Sequence, residues 1–270
     1  MRHVVAKVGA SVVGGVGGRR WRGRAATGLL LAVGLLACLP SPAEVEAPPP
    51  DTRNFLFLGN SLTYTNDLPG MFERLLEAAL DEDVFVASVA LPNYGLPDHW
   101  SRTQSRDAIS AGGWEVVILQ QGPSATEGRP YLLDYAEAFA PEIRAAGAEP
   151  ALYMVWPASS RPFDFDGVFD SYRTAAENVD GWFFPAGEAW RVAWETDPDV
   201  PLYGPDGFHP SSLGPYLAAR AMVEQIAAVD ARDLSAADAG LSIDAEVDTL
   251  LRDAAHEANQ RHAREVGAGG

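Results

Sequence analysis

Phe55-Leu56-Phe57-Leu58-Gly59-Asn60-Ser61-Leu62-Thr63 is the stretch that decides how this chain is read. Four consecutive large apolar residues make a short run suited to a strand buried on both faces. Gly59 ends it, and Asn60 and Ser61 are residue types favoured where a helix begins. Leu68, Met71, Phe72, Leu75, Leu76 and Ala79 then recur at helical spacing and outline one apolar face. Strand, tight polar turn and helix form one β-α unit.

The same alternation continues downstream. Residues 84–89, 116–119, 152–155 and 182–184 are further short apolar runs read as strands. Residues 131–146, closed by Gly147, and residues 169–178, 186–195, 211–229 and 244–264 read as helices, with 99–111 helical in part. Five strands, each followed by helical material, predict the α/β class, a parallel sheet covered on both faces. Ligands of such sheets bind beyond the carboxyl ends of the strands. The residues following Leu58, Val89, Leu119 and Val155 are therefore where a site is expected.

The N-terminus is of a different kind. Arg2, Lys7, Arg19, Arg20, Arg22 and Arg24 precede an apolar run over residues 28–37 that is too short to span a bilayer as a helix. Basic, then apolar, then small residues read as a secretory signal over residues 1–37. Leu35-Leu36-Ala37-Cys38 resembles a bacterial lipobox, which makes Cys38 the lipidated first residue of the mature chain; cleavage near Ser41-Pro42-Ala43 is the alternative. Cys38 is the one cysteine, so no internal disulfide forms. Residues 38–52, with Pro48-Pro49-Pro50, read as a disordered tether to a single domain over 53–270. The formal net charge is −17, and the leader holds bases and no acid, so the domain is more acidic still. Such a surface repels phosphate backbones and argues against a nucleic-acid partner. A membrane is met through the lipid anchor alone, facing the periplasm or the cell surface.

Two distant segments carry chemistry. Ser61, in a turn between strand and helix, presents its hydroxyl and a free backbone N–H. Asp206-Gly207-Phe208-His209-Pro210 stands just before a later helix. A serine hydroxyl is a weak nucleophile until a base takes its proton, and histidine has the suitable basicity. Asp206, on the same turn, is placed to fix the tautomer of His209. Each motif alone has a bland reading: Ser61 as a helix cap, Asp206-Gly207 as an ordinary turn pair.

Taken together, the two segments resemble the SGNH/GDSL hydrolase family in order and separation, over residues 53–229. Gly59-Asn60-Ser61-Leu62 matches the family's first block and Asp206-Gly207-Phe208-His209 its last. The resemblance implies a flavodoxin-like three-layer α/β/α sandwich and ester hydrolysis through an acyl-enzyme on Ser61, with no cofactor. It also implies an oxyanion hole built from the Ser61 N–H, a glycine after the second strand, and an amide after the third. Gly95, in Asn93-Tyr94-Gly95, fills the second place, where its freedom of φ and close backbone approach are useful. The third block, Leu119-Gln120-Gln121-Gly122, departs from the family in having glutamine where asparagine is usual. Gln120 ends the strand and is the favoured third donor, Gln121 the alternative. Asn60, Gln121 and Trp156 are expected to touch substrate.

The remaining candidates read as structural. His99 beside Asp98 begins a helix, and His256 and His262 fall on the polar side of the last helix, where they are expected to be solvated. Asp164-Phe165-Asp166-Gly167 lacks the spaced carboxylates of a calcium loop, so no metal is assigned. Aromatic residues between Trp156 and Phe163 fall on the active-site side and suit a sugar- or acyl-binding platform. The whole-protein expectation is an exported serine esterase acting on small acyl esters, O-acetyl groups on carbohydrate among them. A lipase or thioesterase of the same fold, and a surface lipoprotein that binds glycan without turnover, are the alternatives.

Overall fold

The computed structural model describes residues 45–264. The leader, Cys38 and the first residues of the tether lie outside the described residues. Five strands, β1 (Arg53–Gly59), β2 (Val84–Ala90), β3 (Val116–Leu119), β4 (Glu149–Tyr153) and β5 (Trp182–Phe184), form one sheet in the order β2-β1-β3-β4-β5. Every neighbouring pair is parallel. Phe55, Leu56, Phe57 and Leu58 are wholly buried, as a strand covered on both faces requires.

Nine α-helices are described: α1 (Ser61–Tyr64), α2 (Leu68–Leu80), α3 (Leu96–Ser101), α4 (Thr103–Ser110), α5 (Arg129–Ala145), α6 (Phe165–Asn178), α7 (Ala186–Thr196), α8 (Leu213–Ala227) and α9 (Ala245–His262). Helices α2, α7, α8 and α9 pack with one another as one layer, and α3 to α6 as the other, giving the expected α/β/α sandwich. Helix α2 places Phe72 edge-on against Phe55 and Phe57, with ring centroids 5.1 and 5.5 Å apart. Truncating so buried a ring costs on the order of 3–5 kcal/mol, enough to make this contact a main tie between helix layer and sheet.

Some boundaries differ from the sequence reading. Strand β4 starts at Glu149 rather than at residue 152, because Glu149-Pro150 pairs with Val116-Val117 although neither residue type favours a strand. Residues 96–110 hold two helices, broken only at the extended Arg102. The tether is anchored from Val45, which packs against the core, while Pro49 O accepts hydrogen bonds from Thr52 Oγ1 at 3.1 Å and Asn54 Nδ2 at 2.9 Å. The histidines of α9 are half-buried rather than fully solvated. His256 Nδ1 lies 2.9 Å from Glu224 and His262 Nε2 lies 3.6 Å from Glu188, because the seam with α7 and α8 encloses part of that helix's polar side. No helix among the described residues is long and apolar enough to cross a membrane.

Candidate active site

Ser61 follows the carboxyl end of β1, and the segments after β2 and β3 contact its turn through Tyr94 and Gln120. Gly59 closes β1 because nothing larger fits: a Cβ there would overlap Thr63 Oγ1 and stand 2.6 Å from Gln120 Oε1. Asn60 then caps α1, its Oδ1 accepting the Leu62 N–H at 3.0 Å and its Nδ2 donating to Tyr94 O at 2.8 Å. Such a cap is worth about 1 kcal/mol. It also occupies the Asn60 amide, which is nearly sealed from solvent. The expectation that Asn60 touches substrate is corrected accordingly: it shapes the turn. Ser61, the first residue of α1, has no helical acceptor for its N–H, and none is found among the described residues.

The base arrives on a rigid turn before α8. Gly207 sits in the left-handed region, with φ at +68°, and its carbonyl accepts the Ser159 N–H at 2.8 Å. Trp156 Nε1 donates to Phe208 O at 3.1 Å, and Gly204 N–H donates to His209 O at 2.7 Å. Asn66 Nδ2 donates to Pro210 O at 2.9 Å, tying the loop after α1 to this turn. Asp206 uses both oxygens. Its Oδ1 accepts the N–H groups of Phe208 at 3.0 Å and His209 at 2.9 Å. Its Oδ2 lies 2.5 Å from His209 Nδ1. The hydrogen bond from His209, helped by the Phe208 N–H, holds the carboxyl down at about 2, so it stays ionised.

Across the turn, His209 Nε2 stands 2.8 Å from Ser61 Oγ, joining residues 148 apart in sequence. With Nδ1–H donated to Asp206, Nε2 carries the lone pair that accepts the serine proton. Serine, histidine and aspartate are thus in the serial order that general-base activation of an alcohol needs.

The two glutamines face different ways. Gln120 is wholly buried under the nucleophile turn. Its Oε1 accepts Asn60 N–H at 2.8 Å and Thr63 Oγ1–H at 2.9 Å, and its Nε2 donates to Gln121 O. A side chain with no exposure cannot reach a bound carbonyl, so the structure does not give Gln120 the place of third donor. Gln121 turns toward α3. Its Oε1 accepts Leu96 N–H at 2.5 Å, which fixes the orientation of the amide. Its Nε2 has no partner among the described residues and is not sealed from solvent. Tyr172 of α6 clamps the backbone beneath: its hydroxyl accepts Gln121 N–H at 3.1 Å and lies within hydrogen-bond reach of Gln121 O and Gly122 O.

Gly95 is needed for space, not for unusual φ. Its φ is −108°, and an added Cβ would stand 2.7 Å from Gln121 Oε1. Its N–H donates to Asp98 Oδ2 at 2.9 Å, so this donor is engaged by the first turn of α3. Trp156, expected at the substrate, is wholly buried and stacks on Trp190 at 3.5 Å between centroids. Its position after β4 faces the site, but the stack draws the ring beneath the His209 turn. His99 is structural: Nε2–H donates to Gly59 O at 2.9 Å and Nδ1 accepts from Ser105 Oγ at 2.7 Å. Asp98, Thr63, Asn66 and Tyr172 were not visible as site residues in the sequence. Their parts depend on side-chain direction, which spacing does not report. The metal-ligand types that cluster among the described residues, Glu224, Asp230 and His256, are already bound into ion pairs. Asp230 is bracketed by Arg232.

No family model and no curated protein matches the chain. Solved structures do. A candidate SGNH hydrolase from Slackia heliotrinireducens superposes with a TM-score of 0.56 at 23% identity, over 65% of this chain and 99% of that one. The fold is that of the SGNH hydrolases. A lipase/acylhydrolase from Enterococcus faecalis shares it with a TM-score of 0.52 at 17% identity, over 66% of this chain and 96% of the other. A DUF4886 family protein from Bacteroides uniformis gives a TM-score of 0.62 at 18% identity, covering 78% of this chain and 95% of its own. On the SGNH fold of this chain, Ser61, Asp206 and His209 all stand where the strands' carboxyl ends open.

Proposed function

We propose that this chain is an exported serine esterase that hydrolyses small acyl esters through an acyl-enzyme on Ser61. One observation carries the reading: Ser61 Oγ, His209 Nε2, His209 Nδ1 and Asp206 Oδ2 are joined through contacts of 2.8 and 2.5 Å. An SGNH fold shared with a lipase/acylhydrolase agrees with an ester as the bond attacked.

In the proposed cycle His209 Nε2 takes the proton as Ser61 Oγ adds to the carbonyl carbon. Ser61 N–H and Gln121 Nε2–H receive the oxyanion, each donor contributing on the order of 3 kcal/mol. Gly95 N–H joins them only if it is released by Asp98. His209 then protonates the departing alkoxide, and the carbon–oxygen bond breaks to leave the acyl-enzyme. Water, deprotonated by the same imidazole, adds to the acyl carbon; the bond from that carbon to Ser61 Oγ then breaks, the imidazolium returns its proton to Oγ, and the carboxylic acid leaves. The Asp206 carboxylate stabilises the imidazolium in both halves.

Export rests on the basic and apolar leader, and Cys38 as lipid acceptor would hold the acidic domain at the outer face of a membrane. The test is turnover of a short acyl ester by residues 39–270. Ser61→Ala is expected to abolish it with the melting temperature nearly unchanged, and full activity in that variant would end the proposal.

A further inference from the structure

The nucleophile segment (residues 59–67) and the base turn (residues 203–210) are far apart in sequence and have to be held together for Ser61 and His209 to meet. Among the described residues, one hydrogen bond besides the Ser61–His209 contact joins them directly: Asn66 Nδ2 donates to the carbonyl of Pro210 at 2.9 Å. The bond sits close to the chemistry at both ends. Pro210 is the residue after the base and is buried, with its φ fixed by its ring. Asn66 reaches back to the nucleophile through α1, a single turn of helix. Ser61 O accepts the Thr65 N–H at 3.0 Å, and Asn66 follows Thr65 in the chain. The acceptor at Pro210 is a carbonyl, so the amide presents its NH2 there. The ties from Ser159 and Trp156 run to the loop after β4, and that from Gly204 closes the base turn on itself. None of these three sets the distance to Ser61.

The backbone alone does not call for asparagine here. Thr65 at φ −65° and ψ 126°, Asn66 at φ +58°, and an Asp67 N–H donating to Tyr64 O at 3.1 Å form a type II turn. Its third residue needs a positive φ, which glycine takes with least strain and asparagine tolerates. Asp67 is also left-handed, at φ +60°, and there the side chain serves α2 by accepting the Gly70 N–H at 3.3 Å. The Asn66 side chain caps neither helix. Its amide crosses to Pro210 instead, so what asparagine adds over glycine at this place is the tie to the base turn. Proton transfer from Ser61 Oγ to His209 Nε2 runs over their 2.8 Å contact. A misplacement of about 1 Å in such a pair costs on the order of 10²-fold in rate.

We propose that Asn66 is a positioning residue for the reaction: its amide holds the carbonyl next to His209 and thereby keeps Nε2 in contact with Ser61 Oγ. The inference rests on the esterase reading and adds a residue to it. The test uses Asn66→Gly, which keeps the turn and removes the amide, and Asn66→Asp, which keeps the size and sets an oxygen against Pro210 O. For both, kcat on p-nitrophenyl acetate is expected to fall about tenfold, less than a misplacement of a full ångström costs. KM should change little, and Asn66→Gly should melt no lower than wild type. Turnover equal to wild type in Asn66→Gly overturns the positioning role. A second measurement separates placement of the base from general loosening of the nucleophile turn. Asn66→Gly is expected to slow fluorophosphonate labelling of Ser61 by a similar factor when His209 is present, and not at all in His209→Ala, where no base remains to be placed. Equal slowing in both backgrounds overturns the proposal, because the amide then acts on Ser61's own segment. A wild type that turns over no ester and takes no label ends the esterase reading and this role with it. An active, labelled wild type with an equally fast Asn66→Gly ends the positioning role alone.

Discussion

Gln120 Oε1 accepts the backbone N–H of Asn60 at 2.8 Å, so the end of β3 holds the turn that carries Ser61. The same oxygen takes the Thr63 hydroxyl at 2.9 Å. Gln120→Leu leaves two buried donors without an acceptor, each costing about 1–3 kcal/mol. Chemical denaturation is expected to show that loss, with activity falling because Ser61 is no longer held. A variant as stable as wild type would mean that the tie is dispensable.

Gln121 has the opposite role, and its two amide atoms can be separated by substitution. Gln121→Glu keeps an oxygen for the Leu96 N–H but lacks the free donor, and adds charge where the oxyanion forms. On this account kcat falls at least 10²-fold, the order seen when one oxyanion donor is removed, with little change in stability. Gln121→Ala should lose a similar amount of activity. Rates close to wild type in both would assign the third donor elsewhere.

His99 makes stability depend on pH. Burial holds its pKa below the ordinary 6.5, partly opposed by the hydrogen bond to Gly59 O. In the unfolded chain the imidazole protonates near 6.5, while in the fold it stays neutral, so acidification favours unfolding. The contribution is intact above about pH 6.5 and is lost below it at up to about 1.4 kcal/mol per pH unit, until the folded-state pKa is reached. Melting temperatures from pH 7 to pH 5 should fall more steeply for wild type than for His99→Gln. Parallel curves would show that His99 is not held neutral.

How much was legible follows physical lines. Runs such as Phe55 to Leu58 announce buried strands because only doubly covered strands lack polar alternation, and the parallel order follows from helices between them. Strand β4 was found short because Glu149-Pro150 carries no apolar signal; tertiary pairing with β3 overrides their propensity. The Ser61 and His209 segments were readable since each motif packs its chemistry into consecutive residues. The amides were not. Gln120 and Gln121 are adjacent, and which of the two points under the turn and which toward Gly95 depends on the exit of β3 from the sheet. Trp156 shows the same limit: its place in the chain faces the site, but its stack on Trp190 removes it.

The central claim is that Ser61 is a nucleophile activated by His209 and Asp206. Labelling the folded chain with a fluorophosphonate, followed by peptide mass spectrometry, tests it most directly. The adduct is expected on Ser61, and its rate of formation should drop by orders of magnitude in His209→Ala. A well-folded chain that takes no label, or carries it on another serine, would contradict the account.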